Sequence, residues 1–312
     1  MPKDIIIDCD VGIDDALAIM LALGSKELRI RAITAVCGNV EVEKTSKNAL
    51  KVLETFDARD IPVARGCARP LRRELYTAGY VHGSDGLGDS NLPDPTMGLD
   101  PRHAVDLIID EAGKGGLHLV CLGPLTNLAS ALSRAPQLAD KLEGVTTMAG
   151  AFGLTPYGFG NVTPVSEFNV YVDPEAAKIV FNSGLKLTVV GLDVTTDPSA
   201  MLTKNRYQKI IESGNRGARF LQKIASKLIE SWGSLSLHDP MTVAYLVDHA
   251  LLTVTEYPVD VETEGSIARG QTIADRRAWK EVVQFKGRAR IATAVDAPKF
   301  LRIFEERAIR NL

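Results

Sequence analysis

The chain has 312 residues, 45% hydrophobic and 24% charged, an ordinary composition that can bury a large core. Lys and Arg number 36 against 39 Asp and Glu, a formal charge of −3 with no basic block, which argues against a nucleic-acid partner. No basic segment followed by a short apolar run opens the chain, and no uninterrupted apolar stretch reaches bilayer length, so no membrane role is expected and the cytosol is the expected compartment. The four cysteines, Cys9, Cys37, Cys67 and Cys121, are scattered through mostly apolar runs and read as buried free thiols in a reducing compartment.

In chain order, Ile5-Ile6-Ile7 predicts a buried strand, and the apolar stretch at 16–23 predicts a buried helix. Between them lie Asp8, Asp10, Asp14 and Asp15. Helix caps account for Asp14 or Asp15. They do not account for Asp8 and Asp10 at a strand end, where like charges crowd and raise one another's pKa. A cation resolves that conflict, and oxygen donors without Cys or His suit Ca²⁺ or Mg²⁺ rather than zinc.

Residues 28–37 predict a second strand ending at Gly38-Asn39, and 42–56 an amphipathic helix. A short strand is expected at 61–64. Residues 65–99 are rich in Gly, Pro and charge; a connection this long usually carries function, and it holds His82. A helix is expected at 101–112 with Pro101 in its first turn, a strand at 117–122, and a helix after Gly123-Pro124-Leu125-Thr126-Asn127. A strand at 145–148 leads into a second irregular segment, 151–173, holding Asn161, Glu167 and Asn169. There follow a helix at 174–182, a strand at 187–190 and two helices over 203–232 broken near 214–217. His238-Asp239-Pro240 then opens a helix at 241–247. Strands at 251–261, 279–285 and 289–295 and a helix at 298–309 complete the chain, without repeat or linker, so one domain over 1–312 is expected.

The alternation of strand and helix predicts an α/β fold with a doubly wound, mostly parallel sheet flanked by helices. In such a sheet the turns after the strands share one edge, where ligands bind. Carboxylates and amides without Lys or Arg at these turns suit a neutral, hydroxyl-rich ligand such as a sugar, not a phosphate. Each feature also has a plain reading: Asn39 as a turn residue, Glu167 as a surface acid, His82 as a solvated loop residue, and Asp239 as the N-cap of a helix with Pro240 at its first position. His103, His118 and His249 have no acidic or glycine-rich surroundings and read as structural.

Together these pieces resemble the inosine-uridine preferring nucleoside hydrolases. DCDVGIDDALA is similar to that family's DxDxGxDDA signature, Gly38-Asn39 to its second-strand turn, and VHGSDGL, GPLTNLA, GNVTPVSEFNVYVDPEAA and HDP follow in the family's order. The likeness runs from about 2 to 245; Val11 departs from the family's usual Pro or Thr at a position with no side-chain chemistry to lose. The resemblance implies hydrolysis of the N-glycosidic bond of ribonucleosides with Ca²⁺. It implies Asp10, Asp15, Asp239 and the Thr126 carbonyl as metal ligands, and Asp10 as general base toward the water the metal holds. Asp14, Asn39, Asn161, Glu167 and Asn169 match ribose-binding groups, and Asp8 a supporting position. His238 resembles the acid for the leaving base, which leans the chain toward inosine-uridine or pyrimidine substrates, and His82 is a base-contacting candidate. A homodimer or homotetramer is also implied.

Two rivals fit part of the pattern. A haloacid dehalogenase-like phosphotransferase would use Asp8 as nucleophile, but it needs a later Lys and a late acidic pair and leaves the Ser166-Glu167-Phe168-Asn169 segment unexplained. A nucleoside-binding protein with a dead site is the other; every proposed catalytic group is present.

Overall fold

A computed structural model describes residues 1–279 and 283–312. Among the described residues eleven strands are found: β1 (Lys3–Cys9), β2 (Leu28–Ala35), β3 (Val63–Arg65), β4 (Leu117–Cys121), β5 (Gly144–Thr147), β6 (Leu187–Val189), β7 (Leu202–Thr203), β8 (Ser234–Leu235), β9 (Leu252–Val261), β10 (Thr272–Ala274) and β11 (Gly287–Val295). Nine form one sheet in the order β10-β9-β11-β6-β5-β4-β1-β2-β3. From β11 to β3 every neighbouring pair is parallel, and β9 runs antiparallel to both β11 and β10. The expected mostly parallel, doubly wound sheet is what the chain builds.

The apolar run of β1 is continuous because both faces of the sheet are covered. Side chains alternate across a strand. Ile5 and Ile7 join one apolar cluster with helices Ile13–Leu23, Arg216–Trp232, His238–Val247 and Ala297–Phe304. Ile6 joins the other, with Ala104–Gly113, Thr126–Arg134 and Pro174–Phe181. The chain winds from β1 toward β3 on one side and through β4 to β6 on the other. The direction reverses beside β1, so the carboxyl end of β1 opens on the crevice where α/β sheets bind ligands.

Several boundaries differ from the sequence pattern. Helix Ile13–Leu23 begins three residues before the apolar stretch, which puts Asp14 and Asp15 in its first turn. Its entry is closed by the Gly12 N–H donating to Asp15 Oδ2 at 2.8 Å. The helix expected from Pro101 starts at Ala104, and the ring of His103 accepts from the Val105 N–H at 3.3 Å as its cap. The helix at His238-Asp239-Pro240 starts at His238 after Leu237, so Asp239 lies in the first turn and is not an N-cap. β10 has no counterpart in the sequence reading. The strand expected at 279–285 falls partly outside the described residues, and 279 and 283–285 have no regular structure.

Residues 65–99 are irregular apart from β3's end and the short helix Gly79–His82. The Asp85 carboxylate accepts from the N–H groups of Leu87, Asp89 and Ser90. Gly88, at φ +69°, lies so close to helix Arg216–Trp232 that a Cβ would sit 2.2 Å from the Ile224 carbonyl oxygen. Lys227 pairs with Asp89 at 3.1 Å. All four cysteines are free, three of them buried. Among the described residues no helix is long and apolar enough to cross a membrane.

Candidate active site

The turn after β1 delivers Asp10, and two neighbouring strand ends close on it. Asp10 Oδ2 accepts from the Asn39 N–H at 2.7 Å. A Cβ on Gly38 would stand 2.0 Å from Asp10 Oδ2, and one on Gly123 2.6 Å from Oδ1, so only hydrogen at both positions leaves room for the carboxylate. Asn39 also ties the acids together through Nδ2, which reaches the Asp10 carbonyl at 3.3 Å and Asp15 Oδ2 at 3.2 Å. Asp8, one residue outside the pair, points to a separate hub: its Oδ1 accepts from Thr34 at 2.6 Å and Asn127 at 2.8 Å. Asn127 in turn accepts from the Cys67 N–H, so Asp8 braces β1, β2 and the turn holding Thr126.

Asp14, Asp15 and Asp239 bring one carboxylate oxygen each within 4.8 Å of one another. This trio shares Asp15 and Asp239 with the ligand set implied by resemblance, and holds Asp14 where that set has Asp10. Thr126 is buried at the start of helix Thr126–Arg134, its hydroxyl donating to Asp173 at 2.7 Å. Burial and the negative neighbours push the carboxyls of Asp10 and Asp239 far above the usual range. The same two causes raise Asp14 to about 8, and burial raises Asp15 to about 6. Asp15 Oδ1 is sealed from solvent without a hydrogen-bond partner. A buried set of oxygens that repel one another, with one left unpartnered, fits a hard divalent cation.

The second irregular segment supplies the opposite side. Glu167 caps helix Phe168–Val172 and accepts from the N–H groups of Gly150, Asn169 and Val170. Asn169 Nδ2 donates to the carbonyls of Leu122 at 2.7 Å and Met148 at 3.0 Å, which leaves its Oδ1 for a ligand. β10 pins this segment: Thr272 Oγ1 exchanges hydrogen bonds with the Ala151 N–H and carbonyl, both at 2.9 Å.

One cavity of about 410 Å³ gathers these groups. Asp10, Asp14, Asn39, Asn161, Glu167, Asn169 and Asp239 line it together with His82 and His238. Asp15 and Thr126 are buried and do not reach the lining. Among the described residues its lining holds no Lys or Arg. His82 Nδ1 accepts from the Ile13 N–H at 3.1 Å, and His238 Nδ1 lies 2.7 Å from Thr195 Oγ1. Burial lowers both rings to about 4, so both are neutral near pH 7.

Among the lining residues that sequence reasoning did not assign to the site are Tyr80, Met148, Thr196, Met201 and Ser236. These carry no motif. The spacer glycines did leave a signal, since Gly38 and Gly123 each follow a predicted strand at the expected ligand edge.

A parallel-sheet switch point floored by buried carboxylates and opening on a nucleoside-sized cavity defines an α/β enzyme acting on a small, hydroxyl-rich molecule. Comparison with known proteins makes the class definite. The chain belongs to the inosine-uridine preferring nucleoside hydrolase family, whose profile matches residues 5–302. It is 39% identical over 311 residues to the inosine-uridine preferring nucleoside hydrolase of Leishmania major, covering 96% of this chain and 95% of that one. It is 38% identical over 316 residues to the pyrimidine-specific ribonucleoside hydrolase RihA of Escherichia coli O8, covering 98% of each. A solved plant nucleoside hydrolase superposes with a TM-score of 0.92 at 34% identity, over 99% of each chain. The family's members are N-glycosyl hydrolases, and this chain is an enzyme of that kind.

Proposed function

We propose that this enzyme cleaves the N-glycosidic bond of ribonucleosides with Ca²⁺ at the cavity floor, and that it prefers inosine and uridine or other pyrimidine nucleosides. The observation that carries the reading is the meeting, at one cavity, of a buried carboxylate cluster, the amide and acid side chains of Asn39, Asn161, Glu167 and Asn169, and a neutral histidine. Asp10, Asp15, Asp239 and the Thr126 carbonyl would hold the ion. When bound, the ion supplies Lewis acidity and neutralises the crowded carboxylates.

This chain's own groups do the remainder. Asp14, Asn39, Asn161, Glu167 and Asn169 grip the ribose hydroxyls and orient the sugar. Asp10, clamped by the Asn39 N–H, takes the proton of the attacking water. As the bond from ribose to base stretches, positive charge spreads over the sugar, and the carboxylates around it favour that charge. The bonding electrons pass to the base, the neutral His238 steadies the growing negative charge with a hydrogen bond from its N–H, and the base takes its proton from solvent, to which Asp10 returns the one it removed from water. His82 contacts the base from the short helix Gly79–His82. The span 1–312 acts as one domain, in the cytosol, as a homodimer or homotetramer.

The test is kcat/KM for uridine, cytidine, inosine and adenosine before and after chelation. Activity should fall by ~100-fold or more on chelation and return with Ca²⁺, with uridine and inosine ahead of adenosine. Binding of the four without turnover in Ca²⁺-replete enzyme would favour a nucleoside-binding protein instead.

A further inference from the structure

A donor that meets a leaving group must present its hydrogen on the correct nitrogen. Neutral imidazole carries one hydrogen on two nitrogens, and the bond made by one decides what the other offers. His238 Nδ1 lies 2.7 Å from Thr195 Oγ1. Thr195 ends the short helix Leu192–Thr195 after β6 and is buried. Among the described residues its hydroxyl has no other hydrogen-bond partner.

Two arrangements are possible. If Nδ1–H donated to Oγ1, the buried threonine O–H would lack an acceptor, a costly state. If the O–H donates to Nδ1, the hydroxyl is satisfied and the ring hydrogen sits on Nε2. Among the described residues Nε2 has no partner and is not among the sealed polar atoms, while the ring lines the cavity.

We propose that Thr195 is a positioning residue whose hydroxyl donates to His238 Nδ1, holding the ring as the Nε2–H tautomer and aiming that N–H at the departing base. The proposal rests on His238 being the group that meets the base. The hydroxyl is itself held in place. A Cβ on Gly191 would lie 2.7 Å from the Gly150 carbonyl oxygen, so the turn packs directly on the loop after β5. Asp193 accepts from the N–H groups of Phe152 and Leu154 at 2.8 and 2.6 Å, and the Thr195 N–H donates to the Gly191 carbonyl at 3.2 Å. One turn thus braces the segment leading to Glu167 and carries the hydroxyl that meets the His238 ring.

The experiment compares Thr195→Val, which keeps shape and loses the hydroxyl, with Thr195→Ser, which keeps the hydroxyl. Each is assayed on uridine, inosine and p-nitrophenyl riboside, whose leaving group needs no hydrogen, with His238→Ala alongside. Thr195→Val should lower kcat on uridine and inosine ~10-fold or more with KM within about threefold, and change p-nitrophenyl riboside by no more than about twofold. Thr195→Ser should recover most of kcat. NMR of labelled ring nitrogens should find His238 in the Nε2–H form in the wild type and lose that preference in Thr195→Val. Equal losses on all three substrates, equal losses for Val and Ser, or an Nδ1–H tautomer in the wild type would overturn the proposal. If His238→Ala separates the substrates and Thr195→Val does not, Thr195 fails alone; if His238→Ala hits all three equally, the role of His238 fails first. Should Thr195→Val not fold, Thr195→Ser and the wild-type spectrum still decide.

Discussion

The floor of the cavity and the wall above it are built in opposite ways. On the floor, backbone groups hold the side chains: Asp10 accepts from the Asn39 N–H, Asp15 from the Gly12 N–H, Glu167 from the N–H groups of Gly150, Asn169 and Val170, and Asn169 donates to two carbonyls. The wall is formed by Tyr80, Met201, Leu228, Trp232 and Ser236, from separate segments, with Tyr80 66% and Trp232 60% exposed. Groups aimed at developing charge act best when they need no reorganisation, which is what the floor provides. A wall whose rim is exposed at Tyr80 and Trp232 can change there without disturbing them. Relatives of nearly equal identity carry different base preferences in their names, inosine-uridine in one and pyrimidine in another.

The contrast can be broken most sharply at Asp10. Asp10→Asn should cut kcat by ~10²–10⁴-fold on every nucleoside, and the metal-free protein should melt no lower, because burial already disfavours the charged form of Asp10 there. Retained activity would remove Asp10 as the base. Gly38→Ala comes next. The new methyl would meet Asp10 Oδ2, and the carboxylate cannot retreat because Gly123 closes its other side. A loss of ~100-fold in kcat, equal across leaving groups, is expected; a change of only a few-fold would mean the clamp has slack. Smallest is Trp232→Ala, at the exposed rim. It should raise KM by ~3–10-fold, unevenly among bases, as lost stacking would, and leave kcat on p-nitrophenyl riboside nearly untouched. A uniform loss on all substrates would join the wall to the catalytic machinery and erase the distinction.

How much of this was legible in the sequence follows the same division. The floor was readable because its residues sit beside strand ends that the apolar runs of β1, β2 and β4 already mark. The turns then converge once a parallel sheet is assumed. Asp14, Asp15 and Asp239 illustrate the limit: the sequence placed all three at the site, but only side-chain geometry brings their oxygens within 4.8 Å of one another. Helix starts were misplaced at Ile13, Ala104 and His238, because polar first turns and a histidine cap are invisible to apolar periodicity. β10 was missed because three residues on an edge carry too little pattern.

By itself the sequence determined the strand and helix faces, the acidic turn after the first strand, the family likeness and most residues of the cavity floor. These follow from short-range periodicity and from the chemistry of residue types at strand ends. Tertiary structure alone decided which hydroxyl meets His238, which glycines leave space for Asp10, how β10 pins the segment before Glu167, and which side chains form the wall. Those are contacts between segments far apart in the chain, set by sheet register and helix packing, and no local pattern encodes them.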